Sequence, residues 1–282
     1  VAAEELNLPT HVIDTFTGWT PPVPINLVVA VSFGLLVPPR ILGLARYGGL
    51  NVHPSLLPDL RGPAPIEHAI LQQRERTGVS IQTLHPKHFD QGTVLAQTPA
   101  PGILIPRNAT ATELESELAT IGAQLLIEVL RSGNHLPPHQ DISWYTGPLS
   151  HAPKTTKQDR HISFASSTLD EILAIQRALG NPWCMLSNGQ RLLIHAIVPL
   201  SSSEIAVNPP KKPGLWIRHN AKLPIIRAKC GATAVVHSST YSGGKTGQGN
   251  AKVMNMLSPK KVSNSRQDRV FEEDEWERID EY

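Results

Sequence analysis

The chain reads as an α/β layer with a parallel sheet in its first half, followed by a small antiparallel β-barrel. Three observations predict this. Residues 27–34, LVVAVSFG, are continuously apolar, β-branched and closed by glycine, the pattern of a strand buried on both faces as parallel strands are. Strand-like and helix-like segments then alternate as far as residue 131, which is the order of an α/β layer. Beyond residue 160, several short extended segments gather around one helical pattern and carry an excess of basic residues, a combination that suits a small barrel.

The elements follow in order. VAAEELNL is helix-like, HVIDTF is a short extended piece, and TPPVPI is a loop. After the LVVAVSFG strand, VPPRILGLARYGG supplies a crossover helix. GLNVHPSL is a second strand running into a turn, PAPIEHAILQQ a helix opened by proline, and GVSIQTLH a third strand. TVLAQTPAPGILI continues in extended form. Thr110 and Glu113 form a capping box ahead of ATELESELATIGAQLLIEVL, whose apolar residues recur at helical spacing. That helix closes a first domain, residues 1–131. Residues 132–160, rich in Pro, Gly, His and Ser without a sustained period, read as a linker. Residues 161–258 form the second domain: a helix STLDEILAIQRALG, then CMLSNGQRLLIHAIVPL with a hairpin signal at SNGQ, GLWIRH, KLPIIRAKCG and ATAVVHSST. Residues 259–282 end in FEEDEWERIDEY and read as a disordered, mostly acidic tail.

Composition narrows the function classes. With 282 residues the chain can bury two cores. No apolar run nears the roughly 18 residues of a membrane span. Cys184 and Cys230, the two cysteines, share no CxxC spacing, which argues against a zinc site or a disulfide framework and for a reducing compartment. Charge is uneven. Residues 1–150 hold 8 Lys/Arg against 12 Asp/Glu, net −4; residues 151–265 hold 15 against 4, net +11; residues 266–282 hold 3 against 8, net −5. A domain at +11 favours a polyanion, most commonly nucleic acid, although a basic domain tuned for solubility is the plainer reading. The first residue, Val1, falls inside a helical pattern, so a segment is expected upstream.

Candidate chemistry lies at NVHPSLLPDLRGP. Asn51 and His53, two apart at a strand end, leave the same face. Ligands of open α/β sheets bind at the carboxyl ends of strands. A carboxamide and an imidazole held there by a proline-stiffened turn suit a carbonyl that becomes an oxyanion. The plainer reading makes Asn51 a turn cap and His53 a polar loop residue. Asp90, in HFDQGTVLAQ, could raise the pKa of a neighbouring histidine and place a water, or simply make an Asp-x-Gly turn. Three other features carry less. His85 and His88 are interrupted by Pro86, which disfavours a zinc pair; the GGKT at 243–246 has Ser239 where a phosphate loop needs glycine; Trp183 reads as core rather than as a stacking platform.

Taken together, Asn51-x-His53-Pro-Ser-Leu-Leu-Pro-x-x-Arg61-Gly62-x-x-Pro65 with Asp90-x-Gly92-x-x-Leu95 resembles the formyltransferases that use 10-formyltetrahydrofolate. Within that family, HAPKTTKQD and the basic β domain after it are similar to the linker and C-terminal domain of members acting on methionyl-tRNA, and the likeness runs to about residue 258. The resemblance implies a Rossmann-like catalytic domain, here lacking its first strands, and an OB-like barrel that holds tRNA. It implies Asn51, His53 and Asp90 as the catalytic trio, with Asn51 orienting the formyl carbonyl, protonated His53 facing the oxyanion and Asp90 keeping His53 charged. It further implies folate against Phe33, Gly34, Leu35, Leu36, Pro54, Ser55, Leu84 and Phe89, initiator methionyl-tRNA as partner, no metal, no membrane and a monomer. The Pro-Ser-Leu-Leu-Pro form and the tail fit a fungal mitochondrial member, hence the matrix. Without its first strands, HVIDTF would be an outer strand separated by two empty places from the LVVAVSFG strand, and activity would be low. Two alternatives stay open: a related folate-dependent transferase or hydrolase acting on another acceptor, and a non-catalytic tRNA-binding fragment.

Overall fold

A computed structural model describes residues 2–201, 210–218, 223–257 and 276–280. Two compact units result: Val1–Ala69 with Arg74–Arg107 and Thr112–Lys154, and Thr155–Tyr282 with Ile70–Gln73 and Asn108–Ala111.

The first unit opens with α1 (Ala2–Glu5) and then β1 (Val28–Val31), α2 (Pro39–Leu42), β2 (Gly49–His53) and α3 (Pro65–Leu71). Next come β3 (Arg76–Thr77), β4 (Ser80–Thr83), β5 (Val94–Gln97), β6 (Ile103–Leu104) and α4 (Ala111–Ser132). The main sheet has the order β1-β2-β4-β5, and β3 pairs with β6 as a separate ribbon. β1 and β2 are parallel, with Ala30 beside Asn51, while β4 runs against both β2 and β5. The sheet is therefore mixed rather than parallel. A parallel return needs a crossover that travels the full strand length; here the chain leaving β2 turns, forms α3 and β3, and re-enters at the end it left.

Two further expectations are corrected at the sheet's margin. HVIDTF carries no strand. β1 is not buried on both faces, since Val29 and Val31 are 42% and 56% exposed while Ala30 between them is buried. An unbroken apolar run reports the chain's composition, not the number of layers that cover it. Helix α4 crosses the sheet at Gly122, where an added methyl would lie 2.8 Å from the Val52 side chain. Val52 thus faces α4, so Asn51 and His53 project to the opposite side.

The stretch after α4 is irregular, as a linker would be, yet it docks. The Ile142 N–H donates to Val94, the Trp144 indole donates to the Thr98 carbonyl at 2.6 Å, and His151 bridges Arg61 in parallel. The first unit extends through Lys154, within the expected linker of residues 132–160.

The second unit has a short 3₁₀ turn (Gln158–Arg160) and α5 (Leu169–Leu179), started by a Thr168–Glu171 capping box. β7 (Trp183–Met185), β8 (Arg191–Pro199), β9 (Gly214–Arg218), β10 (Ile225–Arg227), β11 (Thr233–Tyr241), α6 (Gly249–Leu257) and β12 (Trp276–Arg278) follow. The antiparallel order is β12-β9-β10-β11-β8-β7, and a bridge between Leu186 and Asp280 joins its two ends. The sheet curls into a barrel around Ile172, Leu192, Ile194, Leu215, Ile217, Ile226 and Val236. The SNGQ hairpin is present between β7 and β8. Helix α6 is an addition to the sequence reading. So is β12, which lies where an unstructured tail was expected. Ile279 is buried in the core, and Asp280 accepts from the Leu215 N–H and pairs with Arg278. The remainder of that tail, residues 258–275 and 281–282, lies outside the described residues. Among the described residues, no helix is long and apolar enough to cross a membrane.

Candidate active site

Register places Asn51 opposite Gln82 and His53 opposite Ser80. The following turn, Pro54 to Pro58, owes its rigidity to polar anchors as well as to its prolines. Buried Ser80 accepts from the Leu57 N–H at 3.0 Å and donates to the Ser55 carbonyl at 2.7 Å, while the Gln97 amide donates to the Leu57 carbonyl at 3.0 Å. Leu60 adopts a positive φ of 54°, costly for a residue with a side chain, and its carbonyl thereby comes within 3.1 Å of His53 Nε2.

Asp90 sits in the loop between β4 and β5, also at positive φ, 52°. Its Oδ1 accepts from Asn51 Nδ2 at 3.1 Å and Gln82 Nε2 at 2.8 Å, and lies 3.4 Å from His53 Nδ1; its Oδ2 accepts from the Gly62 N–H at 2.9 Å. Two strands, β2 and β4, and the loop at Gly62 therefore converge on one carboxylate. Gly92 fixes the loop's path: a methyl there would fall 1.7 Å from the Thr83 carbonyl oxygen, and the Gly92 N–H donates to Gln82 Oε1. The sequence-predicted trio is thus assembled. Gln82 and the Gly62 amide were missed as partners. A polar residue at the third position of the strand SIQT, on the face shared with Ser80, was the signal for Gln82.

Electrostatics modify one expectation. His53 is nearly fully buried, and desolvation pushes its pKa below the ordinary 6.5, with Asp90 and the Leu60 carbonyl opposing and Arg61 assisting. Burial thus favours the neutral ring over the charged one. The Leu60 carbonyl can only accept, so the neutral ring's proton belongs on Nε2, leaving Nδ1 toward Asp90 as the position that gains a second proton.

The expected folate residues divide. Phe33, Gly34, Leu35 and Leu36 form the loop after β1, whose parallel pairing puts it at the same end of the sheet as His53. Leu35 and Leu36 border a cavity of about 300 Å³ with Phe16, Pro38 and Arg40; Phe33 and Phe89 are exposed, Leu84 and Pro54 half-buried. None of the trio lines this cavity. Ser55 departs from expectation: it is fully buried and its hydroxyl donates to the Asp59 carbonyl at 2.6 Å, so it holds the turn and leaves no hydroxyl for a ligand. Among the described residues, no three His, Cys, Asp or Glu side chains group to hold a metal; His85 and His88 stack on each other, 5.1 Å apart. Both cysteines are free.

Comparison with known proteins gives this geometry a family context. Residues 20–130 match the model of the formyl transferase family. The chain is 33% identical to the methionyl-tRNA formyltransferase of Natranaerobius thermophilus, over 78% of this chain and 68% of that one. It is 34% identical to a putative methionyl-tRNA formyltransferase of Schizosaccharomyces pombe, over 67% and 61%, and 36% identical to the mitochondrial methionyl-tRNA formyltransferase of Homo sapiens, over 63% and 45%. In two of these three the chain thus spans less than two thirds of the relative. Among solved structures, HypX from Aquifex aeolicus in complex with tetrahydrofolic acid shares the fold at a TM-score of 0.54 and 15% identity, over 91% of this chain and 42% of HypX.

Proposed function

The chain belongs to the methionyl-tRNA formyltransferase family, and from that premise we propose that it transfers a formyl group from 10-formyltetrahydrofolate to the α-amine of initiator methionyl-tRNA. The convergence of Asn51, His53, Gln82 and the Gly62 amide on Asp90 is the observation that carries this reading. Transfer from a folate needs no enzyme nucleophile, because the acceptor amine attacks the formyl carbon itself. It needs an orienting donor for the carbonyl oxygen and a group to receive the amine proton.

Asn51 suits the first role. One of its amide hydrogens is fixed on Asp90, which aims the other; Asp90 is itself held by Gln82 and Gly62 and cannot swing away. The His53–Asp90 pair suits the second. With Nε2 at the Leu60 carbonyl and Nδ1 facing the Asp90 carboxylate, the pair accepts the proton of the attacking amine through one water at Asp90 as the C–N bond forms. That proton is returned to the folate nitrogen as the original C–N bond breaks. The pair then acts first as base, and the positive charge His53 gains faces the oxyanion only after attack. The folate is assigned to the loop Phe33 to Leu36 with Pro54, Leu84 and Phe89, and the tetrahydrofolic acid in the HypX structure supports a folate partner for this fold. The basic second unit suits tRNA phosphates. The mitochondrial human relative supports a matrix location, and a monomer is checked by light scattering.

The test is formation of formyl-methionyl-tRNA by the purified chain supplied with 10-formyltetrahydrofolate and charged initiator tRNA. Transfer that is lost in Asp90→Asn is the expected result. Identical rates for the two proteins at the level of the uncatalysed background would overturn the proposal.

A further inference from the structure

The outer face of the barrel carries a second cavity, about 340 Å³, lined by Lys157, Arg160, Trp183, Arg191, Leu193 and the Thr240–Gly243 stretch. That volume is within the range of small-molecule sites. Its floor is built by register: Trp183 of β7 lies opposite Leu193 of β8, which lies opposite Thr240 of β11. The neighbouring residues Cys184, Leu192 and Ile194 point the other way, into the core, so Trp183, Leu193 and Thr240 form a row directed outward. Trp183 is half-buried and its indole N–H donates to the Lys157 carbonyl at 3.0 Å, which fixes the plane of the ring and ties the cationic 157–160 turn to it. Three cations ring the floor, and none of the residues lining the cavity is acidic. Asp159, within that turn, is directed into Thr156, whose N–H and hydroxyl both donate to it. The Arg191 guanidinium already lies 5.6 Å from the Trp183 ring centre.

An aromatic and aliphatic floor beneath a rim of two arginines and a lysine is matched by a planar ring joined to a phosphate. We propose that this cavity receives one unpaired nucleotide of an RNA strand, its base against Trp183 and Leu193 and its phosphates at Lys157, Arg160 and Arg191. A duplex keeps its bases stacked on one another and presents only backbone to such a face; an unpaired base has a free ring surface to lay on indole. The cavity thus distinguishes an unstacked nucleotide from a helix, whereas the basic charge of the unit as a whole does not. The proposal rests on tRNA as partner only for the source of that nucleotide. It also reverses the sequence-based reading of Trp183 as core.

The experiment measures binding of the full chain to three probes at fixed salt: a short single-stranded oligoribonucleotide, a blunt RNA duplex and adenosine monophosphate. Trp183→Ala is expected to weaken the single strand by about tenfold or more and to leave the duplex unchanged, which also reports that the barrel is folded. Trp183→Phe, keeping a ring, retains most of the affinity. Arg191→Gln lowers the dependence of single-strand binding on salt by roughly one phosphate contact. Equal loss of single strand and duplex in Trp183→Ala, or no loss of either, would overturn the site. Adenosine monophosphate binding as tightly as the oligonucleotide would overturn its assignment to RNA. If no RNA binds the wild type, the tRNA reading fails as well, which separates the two failures.

Discussion

The barrel and the first sheet distribute polarity in opposite ways. In the barrel, Leu192, Ile194, Leu215 and Ile217 are enclosed and Lys157, Arg160 and Arg191 stand outside. In the first sheet, Val29, Val31, Phe33 and Phe89 are exposed, while His53, Ser80, Gln82 and Asp90 are among the most buried groups. A closed barrel leaves no strand edge, so its apolar residues can all serve cohesion. The first sheet uses its enclosed volume to hold polar atoms in fixed directions, a higher-stakes arrangement because each such atom needs its partner. Both units bury apolar cores, but the buried polar groups that converge on a single carboxylate, at Asp90, lie in the first, and that is where function is sought.

The largest effect that would break this comparison is at Asp90. Asp90→Asn keeps the shape but replaces the acceptor-only carboxylate, held by donors at Asn51, Gln82 and Gly62, with an amide whose NH2 can only donate. Formyl transfer is expected to fall by roughly 10²–10⁴-fold, the size of a general acid–base contribution, while RNA affinity of the barrel stays at the wild-type value. Steady-state rates beside RNA binding measure both. A matching loss of RNA affinity would show that Asp90 supports the whole chain and not the site alone.

Asp280→Ala is the barrel's counterpart. It removes the ion-pair partner of Arg278 and the acceptor for the Leu215 N–H where the two ends of the sheet meet. Leaving the buried Leu215 N–H without its acceptor costs about 1–3 kcal/mol. Denaturant unfolding should show that loss, with hydrogen exchange rising in β8, β9 and β11. If the loss is below about 0.5 kcal/mol, the ordinary value for surface changes, then closure at Leu186–Asp280 is not what holds the barrel.

A smaller effect concerns pH. Because the folded pKa of His53 is below the unfolded value near 6.5, the unfolded chain binds the extra proton first as pH falls. Stability from His53 is therefore full above about pH 6.5, declines as pH drops toward the folded pKa, and is flat beyond it. His53→Gln should flatten that acid limb in unfolding experiments. An unchanged limb would mean that the ring is not buried neutral.

How legible was this in sequence? Asn51 and His53 were readable because a period of two at a strand end places them together, and Asp90 because its glycine neighbour and the shared motif marked it. Gln82 and the Gly62 amide were not, since nothing local says that a strand residue or a loop N–H will meet a carboxylate many positions away. The α/β class was legible from alternation of elements. The direction of β4 was not, because antiparallel return depends on where α3 and β3 leave the chain. β12 was hidden by charge: in WERID the acidic letters dominate composition, yet Ile279 and Asp280 are both buried. Burial on both faces was overread at LVVAVSFG for the converse reason, since apolar composition cannot state what covers it.

That last region offers the finest way to sharpen the comparison. Among the described residues, no strand pairs with β1 on the side away from β2, and Val29 and Val31 face solvent. Thr preserves the β-branched shape that strands favour, so it removes an apolar contact without disturbing the backbone. Val29→Thr with Val31→Thr should change unfolding free energy by no more than about 0.5 kcal/mol and should reduce concentration-dependent light scattering, because an apolar unpaired edge promotes self-association. The same change of character at Ile217, which is 1% exposed inside the barrel, places a hydroxyl without a partner in the core and should cost about 1–3 kcal/mol. A loss at Val29 and Val31 as large as that at Ile217 would mean that the β1 face is covered in solution, and the contrast between an open sheet and a closed barrel would have to be withdrawn for that face.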